Sequence, residues 1–394
     1  MPDFNLWISL LTIAAVIAGI IGICTFLILA ERKISAWMQD RLGPNRVGPG
    51  GLLQPIADMF KFLFKEEIIP QHVEKLLYIL APALGVSTAL LTFAVVPFGP
   101  THAPTTAGAP SEQPYQFVIA PGVDIGIVFV FAVSSLTVYG ILLGGWSSNN
   151  KYSLFGALRS SAQIVSYEIP MGLSIFGVIL YTGSLNLERV IAKQAQGGIL
   201  GWNIWYQPLA FLLFLTSVFA ECNRLPFDLP EAEQELVGGY HTEYSALKFA
   251  FFFLGEYTHM ITTSFLLVIM FFGGWDFPGI SQLGGLLGVL LKFLVFFIKM
   301  SSFIIFYMLI RWTLPRFRFD QLMGLAWKVM IPLALMNLVC VMVVRQLDWS
   351  PWLLLPVSLA LLLGAAVVGG YWSEGSRPVR VAANRHEEIV AAAH

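Results

Sequence analysis

Phe4–Ala30 reads FNLWISLLTIAAVIAGIIGICTFLILA and holds no Asp, Glu, Lys, Arg or His. It is longer than the roughly 20 residues that cross a bilayer as a helix, whereas a barrel strand would need only about half that length. A helix also satisfies its own backbone groups where no water can. The run therefore sets the fold class: an all-α integral membrane protein. MPDFNLW lacks the basic segment of a cleaved signal peptide, so this run is expected to persist as the first span.

Working outward, eight further apolar stretches are expected to span: about 76–96, 123–145, 154–181, 208–220, 244–272, 283–312, 325–344 and 351–371. About nine helices thus make one polytopic membrane domain over 1–372, followed by a flexible polar tail, 373–394. The chain is 57% hydrophobic and 12% charged with a net charge of −1, so it offers no basic surface for nucleic acid. Arg32, Lys33, Arg41, Arg46, Lys61, Lys65 and Lys75 crowd the loop after the first span and mark it as cytoplasmic. With nine spans, the N-terminus lies outside and the C-terminus in the cytoplasm. Within the basic loop, 52–67 alternates Leu52, Leu53, Ile56, Met59, Phe60 and Leu63 with Asp58, Lys61 and Lys65 at helical spacing. That segment is too short to span, so an amphipathic helix at the cytoplasmic interface is expected.

Cys24, Cys222 and Cys340 are scattered, with no Cys-x-x-Cys pair and no His/Cys cluster at metal-ligand spacing. No Gly-rich phosphate loop is present. The chain is therefore expected to carry no iron–sulfur cluster, haem or structural zinc of its own.

The chemistry-bearing residues are charges where apolar residues are expected. The loop 221–244, ECNRLPFDLPEAEQELVGGYHTEY, gathers Glu221, Asp228, Glu231, Glu233, Glu235 and Glu243 around a single cation, Arg224. Asp228 stands where an N-cap would, ahead of Pro230, and Gly238-Gly239 supplies a stop. Glu168 lies inside the fourth span and Glu256 inside the sixth, where His259 and Thr263 continue a polar stripe. Lys292 and Lys299 share a face of the seventh. Burying such groups costs a few kcal/mol each. Interhelical ion pairs that specify packing are one account. The other is a proton relay, since carboxylates in low dielectric can hold or release protons near neutral pH. Gly140 with Gly144, and Gly284 with Gly288, would let helices approach closely.

AERKISAWMQDRLGPNRVGPGGLLQPIADMFKFLFKE, GWSSNNKYSLFGALRSSAQIVSYE, AECNRLPFDLPEAEQELVGGYHTEYSA, GEYTH and IRWTLPRFRFDQLMGLAWK occur in this order between residues 30 and 328. In these the sequence resembles the quinone-chamber membrane subunit of respiratory complex I, the bacterial NADH:quinone oxidoreductase, in the NADH dehydrogenase subunit 1 family. The resemblance implies a subunit wedged between the redox arm and the proton-pumping arm, where ubiquinone or menaquinone enters from the lipid as substrate. Iron–sulfur clusters and FMN would sit only in partner subunits. Those partners include the terminal iron–sulfur cluster subunit, a 49 kDa-type quinone-site subunit and small membrane-arm subunits. By motif match, Arg32, Arg41, Asp58, Arg224, Phe227, Asp228 and Arg311 correspond to the quinone chamber. Glu168, Glu221, Glu256, Glu231, Glu233 and Glu235 correspond to the proton-coupling acids. The implied location is the bacterial inner membrane. Ala246 replaces a common Gly of the family, Phe319 a common Tyr, and the ninth helix and tail extend past the shared core. A homologous subunit of a membrane-bound hydrogenase-type complex, and a stand-alone secondary transporter, are the competing readings.

Overall fold

The computed structural model describes residues 6–99, 117–229, 237–280, 283 and 285–375. Glu231, Glu233 and Glu235, the helix expected behind Asp228, Gly284 and the tail from 376 fall outside the described residues. The described residues contain helices and no strand. The order is α1 Leu6–Met38, α2 Gln54–Phe64, α3 Lys75–Leu91, α4 Gly126–Ser135, α5 Thr137–Ser147, α6 Lys151–Thr182 and α7 Leu187–Ala195. Then follow α8 Pro208–Glu221, α9 Ala246–Phe271, α10 Gly285–Thr313, α11 Phe319–Gln346 and α12 Leu354–Gly375. Seven of the described helical segments are long and apolar enough to cross a membrane, while Pro208–Glu221 and Pro351–Val367 are shorter apolar helices.

Apolar helices stand at the expected positions, two of them, Pro208–Glu221 and Pro351–Val367, shorter than a span, and there are three local departures. The third expected span breaks at Leu136, giving α4 and α5, and the break is flanked by Ser134, Ser135 and Thr137. The eighth carries one π-helical stretch, Ala326–Met330. There Pro332 brings no N–H to the preceding turn, so the ladder must rewind. The polar stretch with Arg189 and Lys193 forms its own helix, α7, capped by the Asn186 side chain. The amphipathic segment is a helix over Gln54–Phe64, with Leu53, Ile56, Met59, Phe60, Leu63 and Phe64 exposed.

α9 is the axis of the bundle: from Tyr257 to Phe271 every residue is buried. Around it pack α3, α8 and α10, with α6 behind α8. Small residues set the closest approaches. A Cβ on Gly140 would stand 3.1 Å from the Ala81 carbonyl of α3. A Cβ on Gly156 would stand 2.6 Å from Gly239 Cα, so α6 touches the end of the acidic loop backbone to backbone. Gly288 instead faces the carbonyl of its own Leu283. In the turn after α1, Gly51 has φ +82° and a Cβ there would overlap the Pro44 carbonyl.

Candidate functional site

α8 ends at Glu221, and the chain turns back through Asn223, whose φ of +49° suits its short polar side chain. Asn223, Arg224, Phe227, Asp228 and Leu229 are all buried. A buried loop must satisfy its polar groups internally. Gln163, fully buried on α6, does this by donating Nε2 to the carbonyls of Ala220 and Phe227, both at 2.7 Å. Phe227 packs between Tyr167 and Phe317, and Asp228 accepts from Arg316 Nη2 at 2.9 Å.

That loop delivers Arg224 to a carboxylate at the end of α1. Glu31 is 7% exposed and accepts from Arg224 Nη1 at 3.1 and 3.3 Å, from Arg311 Nη1, and from the Tyr257 hydroxyl at 2.5 Å. The Arg224 guanidinium also lies 4.5 Å over the Tyr257 ring. One carboxylate thus gathers two guanidiniums, with Glu256 near enough to attract Arg224 as well.

Beyond this knot, a cavity with about 30 Å³ open to water is lined by Glu221, Glu256, His259, Tyr240, Asn223, Ser134 and Thr137 among apolar neighbours. That volume admits about one water, and the lining supplies the polar partners it would require. The Tyr240 hydroxyl donates to Glu256 Oε1 at 3.3 Å, and Thr137 Oγ1 lies 3.0 Å from His259 Nε2. Ser134 reaches Glu221, and Glu221 feels the charge of Glu168, which accepts from Ser135. Ser134, Ser135 and Thr137 flank Leu136, where α4 gives way to α5.

The C-terminal flank of the acidic loop is tied down separately. Tyr78 and Tyr244 stack at 4.2 Å, the Tyr78 hydroxyl donates to the Glu243 carbonyl at 2.7 Å, and Lys248 pairs with Glu67 at 2.5 Å. His241 is packed edge-on against Tyr240, Phe249 and Phe253, and its burial pulls its pKa down to about 4.

The expected site residues therefore fall into groups. Arg224 and Arg311 meet at Glu31. Glu221 and Glu256 share the cavity, and Glu168, which accepts from Ser135, lies near enough for its charge to act on Glu221. Arg32 and Asp58 form an ion pair at 2.6 Å joining α1 to α2. Phe227 and Asp228 sit in the buried turn. Arg41 stands apart, exposed, its Nε donating to Gln39. Lys299 pairs with neither buried glutamate, because its ammonium donates to the carbonyls of Phe272, Gly274 and Asp276 at 2.8–3.0 Å. Glu31, Tyr257, Tyr240, Gln163 and Arg316 were not singled out by sequence. Glu31 stands at the head of the basic run Glu31-Arg32-Lys33 and reads as a helix-end charge, although its place directly after an apolar span was a usable signal.

The fold and the site define a multi-pass helical membrane protein that holds a file of charged and polar groups inside an apolar bundle. A family profile described as NADH dehydrogenase matches residues 11–342. The chain is 48% identical over 318 residues to an NADH-quinone oxidoreductase subunit of Flavobacterium psychrophilum, covering 78% of this chain and 88% of that protein. It is 47% identical over 342 residues to an NADH-quinone oxidoreductase subunit of Koribacter versatilis, covering 84% and 95%. Against NADH-quinone oxidoreductase subunit 8 of Rhodothermus marinus it is 44% identical over 350 residues, covering 86% and 97%. The chain belongs to the NADH dehydrogenase family, and these relatives are subunits of an enzyme complex.

Proposed function

We propose that the chain is the membrane subunit of a proton-translocating NADH:quinone oxidoreductase that forms the quinone access tunnel and chamber and couples quinone reduction to proton transfer. The observation that carries this reading is the succession of polar groups from the Glu31–Arg224–Arg311–Tyr257 knot, through Glu256 and Glu221 at one cavity, to Glu168. An apolar bundle has no packing need for such a file.

In this reading ubiquinone or menaquinone is the substrate. Its isoprenoid tail lies along the exposed apolar face of α2, with Arg32, Arg41 and Asp58 near the mouth. Arg224, Phe227, Asp228 and Arg311 border the chamber. Electrons come from the terminal iron–sulfur cluster of a partner subunit, and FMN also resides in a partner. Reduction consumes two electrons and two protons. Glu221, Glu256 and Glu168 pass the resulting charge change inward, with Glu231, Glu233 and Glu235 at the loop that gathers protons. The chain then lies in the bacterial inner membrane with its N-terminus outside, its C-terminus in the cytoplasm, and complex I subunits and lipid as neighbours.

The test is quinone reductase activity and proton pumping in membranes carrying Glu221→Gln or Glu256→Gln, with assembly checked on a native gel. Assembled complex with pumping lost supports the relay. Wild-type pumping in both variants refutes it.

A further inference from the structure

The proposed relay leaves unused a polar pocket at the opposite end of the bundle, where α6 ends and α7 begins. It holds about 250 Å³ and is lined by Lys193, Tyr181, Tyr206, Gln194 and Gln196, with backbone of Gly197 and Gly201. Lys193 donates two of its protons to the Tyr181 and Thr182 carbonyls, at 2.6 and 3.2 Å, and lies 4.8 Å over the Tyr181 ring. A lysine ammonium has three donors, so one remains for a ligand.

A second cation stands beside it. Gly183 caps α6, and a Cβ there would lie 3.5 Å from Arg345 Nη2 of α11. Lys193 and Arg345 are close enough to repel. Partial dehydration first, then Arg345, pushes the lysine below its usual range. Among the described residues neither has an ion-pair partner. The α6 carbonyl end and its dipole account for one of these cations. They leave the second, and the pocket that Lys193 lines with the chain at 194–206, without an ion-pair partner among the described residues.

The setting names the ligand. Trp205 is exposed beside the pocket, and Tyr206 packs on Trp352 at 4.9 Å, so aromatic rings gather at this helix end as they do at headgroup depth. At that depth the abundant anion is the phosphodiester of a phospholipid, and paired Lys and Arg between helices suit it.

We infer that the pocket lined by Lys193, with Arg345 beside that lysine, is a specific site for the phosphate of a membrane phospholipid, clamped against α6, α7 and α11. The phosphodiester bridges the two cations and relieves their repulsion. The remaining headgroup lies among Tyr181, Tyr206 and Gln196, and the acyl chains follow the apolar faces of α11 and α12. The lipid thereby ties α7 to α11 at the end of the bundle away from the acidic loop.

The test uses the whole purified complex and phosphatidylglycerol carrying a photoactivatable group next to its headgroup. Crosslinks should map to the peptides bearing α7, 196–206 or the end of α11. Labelling there should fall about tenfold in Lys193→Gln/Arg345→Gln, the loss of a charge-assisted contact. Arg345→Gln alone, on an exposed side chain, should fall in the same direction, and Lys193→Arg should retain the label. Labels elsewhere on the chain should not change. Equal labelling of wild type and Arg345→Gln overturns the site. Loss of the label to millimolar inorganic phosphate overturns the lipid assignment in favour of a free anion.

Discussion

Glu31→Gln removes the carboxylate that Arg224 and Arg311 share. The replacement keeps the shape and an oxygen for the Tyr257 hydroxyl, so what is lost is charge. Breaking a buried ion pair from one side costs on the order of 3–5 kcal/mol, because the surviving charge stays buried. Arg224 bears most of this, being 7% exposed. The Arg311 side chain is 30% exposed, and solvent screens its share. Attraction to Glu256 offsets part of the rest. The expected loss is therefore ~2–4 kcal/mol, or about thirtyfold to a thousandfold in the population of the opened state. A large membrane complex unfolds irreversibly, so the assay is the half-life of quinone reductase activity in heated membranes, with assembled complex measured on a native gel. Glu31→Gln should shorten that half-life sharply. Glu31→Gln/Arg224→Leu, which removes the buried guanidinium along with its counter-charge, should recover much of it even where turnover stays low. A Glu31→Gln complex as long-lived as wild type would refute the argument, as would a double variant more labile than both singles.

His241 has its pKa depressed to about 4, against about 6.5 for an unfolded histidine. Between those values the unfolded chain holds the proton and the folded chain does not, so its stability contribution is complete above about pH 6.5 and is lost as pH falls toward 4. The loss is up to about 3 kcal/mol, and His241→Phe should flatten the acid limb of a thermal-stability profile; an unchanged limb contradicts this. Gln163→Leu strips the Phe227 carbonyl of its side-chain donor and should cost ~1–3 kcal/mol, raising the KM for quinone as the Phe227–Asp228 turn loosens; a wild-type KM would count against that placement. Ala246 has φ +49°, a region that favours glycine. Ala246→Gly should leave stability unchanged or raise it by up to ~1 kcal/mol, and a fall of that size in a melting assay would show that the strain is absent.

Hydropathy made most of the fold legible, because a span is decided by length and apolar content alone. Where it misled, polar chemistry was the reason. The break at Leu136 lies in an apolar run whose Ser134, Ser135 and Thr137 look innocuous one by one. They matter only because Glu168, Glu221 and His259 arrive from other helices. In the same way Glu168 and Glu256 stood out as acids in apolar runs, whereas Glu31 was hidden by the cations following it. The sequence leaves the partner of Lys299 open: its ammonium is held by three carbonyls past the end of α9, with the Asp276 carboxylate near enough to attract it. The Phe319 ring lies 5.4 Å from the Arg159 guanidinium, a contact that needs no hydroxyl.

The arrangement also bears on how charge would be coupled in the proposed mechanism. Glu31 with Arg224 and Arg311 carries a net positive charge. Glu221 and Glu256 together overcompensate it when both are ionised, and match it when one holds a proton. A low-dielectric interior favours the matched state, so in the proposed mechanism the two acids that line the cavity would share one proton. Adding a negative charge on the Arg224 side would draw a further proton onto that pair, and removing it would release one. At an illustrative separation of about 8 Å and an effective dielectric of about 20 the interaction is about 2 kcal/mol, roughly a thirtyfold change in proton occupancy. Coupling of that size needs no continuous water file between the chamber and Glu168. It needs the guanidiniums and carboxylates to stay fixed while the charge beside them changes, which is what Gln163, Tyr257 and Tyr240 are placed to secure.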